Sequence, residues 1–216
     1  MSLQLRTIVS APFAENSYLL WKTDSSDAIV VDPGFDPDEI LDQLAERELR
    51  IVAILNTHGH VDHIAGNAAM KKAFPNAPLV IGHGDAEMLT DPVKNLSTMF
   101  GMSVVSPTAD QLVREGDRIS FAGIDMEVRE IPGHSPGHVV FVIHGENPIV
   151  VLGGDVLMRG GIGRTDFPNG NFDQLVEGIQ TKLWPLNDST IVYPGHGPTT
   201  TIGHEKRTNP YCSWKR

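Results

Sequence analysis

The run Thr57-His58-Gly59-His60-Val61-Asp62-His63 places three imidazoles and one carboxylate within six residues. Imidazole nitrogen and carboxylate oxygen are ordinary protein donors to divalent transition metals. A solvated loop capping a helix has no need of so many nitrogen donors, so the run reads as half of a metal site. Residues 51–55, Ile-Val-Ala-Ile-Leu, precede it as an apolar run suited to a buried strand, and residues 64–74 can continue as a helix. The donors therefore fall on a strand-to-helix connection, where side chains can converge on one point. The i, i+4 spacing of a helical HExxH pair is absent, which excludes that kind of site.

Outward from this run, the apolar stretches 17–21 and 28–31 flank polar residues 22–27 and predict a β-hairpin. Asp36-Pro37 opens a helix through Leu49, with Ile40, Leu41, Leu44 and Leu49 on one face. A short strand is predicted at 79–81 and a short helix at 85–89, which Pro92 helps to end. Residues 90–110 mix Ser, Thr, Met and Pro without a period and read as a loop or irregular lid. Strands follow at 117–121, 124–131, 138–143 and 149–152, then a helix at 172–183 with Asn171 as its N-cap, and a strand at 190–193.

Three later segments repeat one format, an apolar run that ends in a donor beside glycine. They are Ile131-Pro132-Gly133-His134, Val151-Leu152-Gly153-Gly154-Asp155 and Val192-Tyr193-Pro194-Gly195-His196. Singly, each has an ordinary reading as a turn residue. Together with the first run they offer the rest of a metal site.

Composition narrows the function classes. A net charge of −10 argues against a dominant electrostatic grip on nucleic acid, which needs a basic face. The single cysteine, Cys212, excludes an intramolecular disulfide and a thiolate-rich metal site, and reads as a residue without catalytic role. No charged leader with an apolar core opens the sequence, and no apolar run approaches eighteen residues, so a soluble cytoplasmic protein with no membrane partner is expected.

THGHVDH, GHSPGH, GGD and YPGHG, in this order, resemble the metallo-β-lactamase superfamily over essentially the whole chain. The run Gly160-Gly161-Ile162-Gly163-Arg164-Thr165-Asp166-Phe167 and the tail 195–203 are similar to the short bacterial glyoxalase II-like hydrolases. The resemblance implies an α/β (α+β) fold, an αββα sandwich of two mixed β-sheets with helices on the outer faces, as one domain over residues 1–216. It also implies that His58, His60 and His134 hold one divalent metal, that Asp62, His63 and His196 hold a second, and that Asp155 bridges them. Zinc is the first expectation, and iron or manganese tolerates the same donors.

Two such cations sharing a water depress its pKa from 15.7 toward about 7, giving a bridging hydroxide as nucleophile. Asp62 would also accept a proton from that water. A thioester suits this chemistry, because a thiolate leaving group, with a thiol pKa of about 8.5, departs without a dedicated acid. The expected partner is a small-molecule thioester, an S-(2-hydroxyacyl)glutathione such as S-lactoylglutathione, hydrolysed to a hydroxy acid and glutathione. Arg164 and Arg159 would bind a substrate carboxylate, or Arg164 would pair with Asp166 to order its loop; Asp32 and His138 would orient ligands from behind, or serve as a turn aspartate and a strand histidine satisfied by backbone. His83, His144 and His204 match no ligand position. Two other activities resemble the same motif set: a persulfide dioxygenase with one iron on His58, His134 and Asp155, and a lactonase. Longer glyoxalase II enzymes add a helical domain that contacts glutathione, whereas only twenty residues (216 − 196) follow His196.

Overall fold

The computed structural model describes residues 2–213. Its first sheet contains β1 (Leu3–Ser10), β2 (Glu15–Lys22), β3 (Asp27–Val31), β4 (Arg50–Asn56), β5 (Leu79–Gly82) and β6 (Gln111–Val113), in that order. β1 to β3 pair antiparallel, and β3 to β6 pair parallel. The second sheet draws on β7 (Arg118–Phe121), β8 (Ile124–Glu130), β9 (Val139–Ile143) and β10 (Val150–Gly154). A two-stranded hairpin, β11 (Leu157–Met158) with β12 (Gly161–Ile162), follows β10. β13 (Ile191–Pro194) and β14 (Thr200–Thr201) then complete the second sheet, whose order is β14-β13-β10-β9-β8-β7. β10 and β13 run parallel within this otherwise antiparallel sheet.

Side chains alternate between the two faces of a strand, and this period sorts the apolar residues into layers. Tyr18, Leu20, Ile29, Val31, Ala53 and Leu55 turn from the first sheet onto Val128, Val139, Phe141 and Leu152 of the second. Their neighbours Leu19, Val30 and Ile54 face the other way, onto Ile40 and Leu44 of α1 (Pro37–Glu46), Ile64 of α2 (Val61–Ile64) and Met70 of α3 (Asn67–Ala73). On the far side, Val140, Val142 and Val151 meet Leu175 of α4 (Phe172–Gly178) and Ile202 of α5 (Ile202–Thr208). Helix, sheet, sheet and helix are thus held by three apolar layers, which is the αββα sandwich the sequence implied. Among the described residues, no helix is long and apolar enough to cross a membrane.

Several boundaries differ from expectation. The helix predicted to reach Leu49 stops at Glu46, since Glu48 takes a positive φ of 55° and Leu49 N–H bonds back to the Leu44 carbonyl. The single helix expected over 64–74 is two, α2 and α3. The break falls at Gly66, which lies so close to Pro33 that a Cβ would stand 2.0 Å from its carbonyl oxygen. The segment at 85–89 is a 3-10 helix, His83–Leu89. Asn171 does cap α4, accepting from Gln174 N–H at 3.0 Å, but Ile179–Leu183 continues it as a π-helical turn. β1, β6, the β11–β12 hairpin, β14 and α5 had no counterpart in the expectations.

Candidate metal centre

Every donor named from the sequence lies where a strand ends, along one edge of the sandwich. The first sheet supplies His58, His60, Asp62 and His63 after β4. The second supplies His134 after β8, Asp155 after β10 and His196 after β13. His58, His60 and His134 offer donor atoms within 4.8 Å of one another, as do His58, His63 and Asp155, and Asp62, His63 and His196. Asp155 lies between the groups, with Oδ2 3.4 Å from His134 Nε2 and 3.7 Å from His196 Nε2, and Oδ1 3.6 Å from His63 Nε2.

Neighbouring groups fix which nitrogen each imidazole presents. His134 Nδ1 donates to the Arg164 carbonyl at 2.8 Å, leaving Nε2 facing inward. Asp32 is buried and does three tasks at once. Oδ1 accepts from Thr57 N–H at 2.8 Å, while Oδ2 accepts from Thr57 Oγ1 at 2.7 Å and from His63 Nδ1 at 3.0 Å. With its proton so committed, Thr57 Oγ1 accepts from His58 Nδ1 at 3.1 Å. His138 sits one layer back, its Nε2 accepting from Asp155 N–H at 3.0 Å, so it orients the Asp155 backbone. Gly163 lets the Arg164 carbonyl reach His134, because a Cβ there would lie 1.9 Å from the Asp155 carbonyl oxygen.

The donor set fits a cation. His60 Nδ1 lies 2.9 Å and His58 Nε2 3.3 Å from His134 Nε2. Since His58 and His134 spend their ring protons elsewhere, their lone pairs face each other, an arrangement that a shared cation relieves. Burial, reinforced by adjacent imidazoles, holds His58 and His60 well below the usual histidine pKa and therefore neutral. His63 Nε2 and Asp155 Oδ1 are buried with no hydrogen-bond partner, as atoms awaiting a ligand would be. Burial disfavours charge on Asp62, yet His63 and the hydrogen bond from His196 hold its carboxyl well below the usual range.

A profile of the metallo-β-lactamase superfamily matches residues 11–196. The chain belongs to this superfamily. It is 35% identical to a protein of Haemophilus influenzae named hydroxyacylglutathione hydrolase GloC, over 99% of this chain and 100% of that one. Among solved structures, BLEG-1 B3 metallo-β-lactamase superposes with a TM-score of 0.92 at 34% identity, covering 98% of this chain and 100% of that chain. TTHA1623 in a di-iron-bound form does so with a TM-score of 0.85 at 32% identity, covering 95% and 99%.

In this metallo-β-lactamase relative, two buried carboxylates escaped the sequence reading. Asp85 Oδ2 accepts from Gly59 N–H at 3.0 Å and Ser135 Oγ at 2.6 Å, and Oδ1 accepts from Gly137 N–H at 2.6 Å. It therefore joins the His58–His60 loop to the loop bearing His134. Glu15 Oε1 stands 4.0 Å from His63 Nδ1, and Ser10 Oγ donates to Oε2 at 2.9 Å; burial pushes this carboxyl well above its ordinary pKa. No sequence signal short of the fold marks either one, for each is a lone acid beside ordinary turn or strand residues.

The arginines fare differently. Arg164 lines the cavity at the donors, but its guanidinium is exposed and donates twice to Asp166, at 2.9 and 2.8 Å. Arg159 lines a separate groove with Thr199, Thr200, Thr201 and His204. His144 pairs with Glu127 at 2.6 Å, away from the donors. Cys212 is buried under the second sheet, and burial pushes its thiol up to about 12.

Proposed function

We propose that this protein is a metal-dependent thioester hydrolase of the glyoxalase II type, acting on S-(2-hydroxyacyl)glutathione. The observation that carries this reading is the position of Asp155 between two donor groups on one cavity. His58, His60 and His134 would hold one divalent cation and Asp62, His63 and His196 another, with Asp155 shared. When bound, such cations would lower the pKa of a coordinated water toward about 7 and would polarise a substrate carbonyl. Zinc suits the donors, and iron does too, the metal named for TTHA1623.

The chain's own groups supply position and a proton acceptor. Asp62 lines the cavity as a carboxylate, anchored through Oδ2 3.1 Å from His196 Nε2, and takes up the proton released by the attacking water. The water oxygen bonds to the acyl carbon, the C–S bond breaks, and the thiolate leaves with the electron pair. Among the described residues no cavity-lining lysine stands ready to protonate a leaving amine, and a thiolate needs no such acid. The GloC relative, alike over its full length, supports glutathione as the carrier. A reading with one iron on His58, His134 and Asp155 leaves the convergence of Asp62, His63 and His196 without a purpose.

Metal analysis beside a panel of glutathione and coenzyme A thioesters tests the proposal. Two metals per chain with hydrolysis of the glutathione thioesters are expected. One iron per chain with persulfide-dependent oxygen uptake, or no thioester cleaved, overturns it.

A further inference from the structure

The walls of the cavity carry a second message about the substrate. Its volume is about 380 Å3, and the donors form its floor. Phe13, Leu96, Phe100, Met158, Ile162 and Phe167 make up most of the remaining wall. Phe167 packs edge-on to His60 and His134, with ring centroids 5.4 and 6.0 Å away, so apolar surface begins directly beside the reacting centre. Phe13 stacks on Phe35 at 5.5 Å and meets Phe100 edge-on at 4.9 Å, which fixes that part of the wall in place.

Outside the mouth the apolar surface continues. Phe100 is 50% exposed, and Val93, Met99 and Val105 of the same segment are 57–68% exposed. Of these, Phe100 lines the cavity itself, so apolar surface runs from the wall onto the exposed face of this segment. Charge on the walls points the same way. Among the described residues Arg164 is the only arginine or lysine in the lining, and its guanidinium is engaged by Asp166 and lies 4.3 Å over the Phe167 ring. Above the floor, where the cations would sit among the donors, an anionic acyl group would find no free cationic side chain among the described lining residues, and the methyl of a lactoyl group would leave most of the wall uncovered.

We infer that this cavity takes the acyl half of its thioester, and that the acyl group carries an uncharged aromatic or branched apolar substituent larger than the methyl of lactate. The inference rests on the thioesterase reading and narrows its substrate class. Phe100, Phe13 and Phe167 clasp the substituent, while the carbonyl lies at the donors.

The metal-loaded enzyme should be assayed with four thioesters, lactoyl and 2-hydroxy-3-phenylpropanoyl, each on glutathione and on N-acetylcysteamine. On both carriers, kcat/KM should be about tenfold or more higher for the phenyl-bearing acyl group, the gain that burying an aromatic ring provides. Phe100→Ala, which alters a half-exposed side chain, and Met158→Ala should each move that ratio toward one. Equal or better use of lactoyl on both carriers, or a ratio unchanged in both variants, overturns the inference while leaving the thioesterase reading intact. If none of the four is cleaved, the thioesterase reading falls. Calorimetric binding of 3-phenyllactate against lactate then decides the cavity's preference without turnover: tighter phenyllactate supports it and equal affinity rejects it.

Discussion

Asp85 touches no other donor, yet its two oxygens accept three hydrogen bonds that tie the His58–His60 loop to the His134 loop. An amide at this position keeps the shape but has one acceptor oxygen and must turn an NH2 toward a donor. Asp85→Asn should therefore weaken binding at His58, His60 and His134 by about 10–100-fold, the usual cost of losing a ligand-orienting partner. Competition against a chelating dye reads the effect, with unchanged circular dichroism as the control. Unaltered affinity would remove Asp85 from the role of positioning residue. His58, His60, Asp62 and His63 stood out beforehand because they crowd into one short run, and crowding is visible in one dimension, whereas His134, Asp155 and His196 were singled out through the motif resemblance. Asp85 is one of 27 acidic residues, and only the packing of His83–Leu89 against the second loop singles it out.

At the scale of elements, α4 shows how a helix end serves the centre. Its cap residue Asn171 accepts from Gln174 N–H, while the Asn171 backbone N–H donates at 2.7 Å to Gly133, next to His134. Replacing the side chain by Asn171→Ala removes the cap and retains the backbone tie. Urea unfolding should show a loss of about 1 kcal/mol with metal stoichiometry unchanged. A loss below a few tenths would mean the cap contributes nothing. Asn171 could be read from sequence because capping chemistry is local. β6, with three residues, and β14, with two, are too short to display a period, and only their partners Leu79–Gly82 and Ile191–Pro194 define them. Residues 90–110 were expected as a loop or irregular lid; they hold a 3-10 turn at Ser97–Phe100 in otherwise irregular chain, and buried Asn95 gives them order. Its side chain donates to the Met88 and Val104 carbonyls at 3.1 and 2.9 Å and accepts from Ser97 N–H at 3.0 Å. That network sets Leu96 and Phe100 in the cavity wall.

For the whole molecule, the three apolar layers lie away from the donors, so the sandwich should keep its secondary structure when metal is withdrawn. Ligands that bind only the folded state still raise its stability. Chelation should lower the thermal midpoint, and zinc returned at a hundredfold its dissociation constant should add about 2.7 kcal/mol. A midpoint indifferent to chelator and to zinc would show that the donors bind no metal. Periodicity alone predicted strands and helices but not the order in which strands pair, because pairing across the β10–β13 crossover depends on residues forty-one apart (191 − 150). Motif resemblance supplied the layers of the sandwich, and the strand order comes from the structure.

Division of the donors between two sheets has a mechanical consequence. The β4 loop is carried by one sheet and the loops after β8, β10 and β13 by the other, Asp85 ties the β4 and β8 loops to each other, and Phe141 and its neighbours act as the spacer between the sheets. The centre therefore behaves like the jaws of a caliper whose gap is set by the thickness of the interior. A change of volume at Phe141, remote from every donor, would retune which ionic radius the jaws accept.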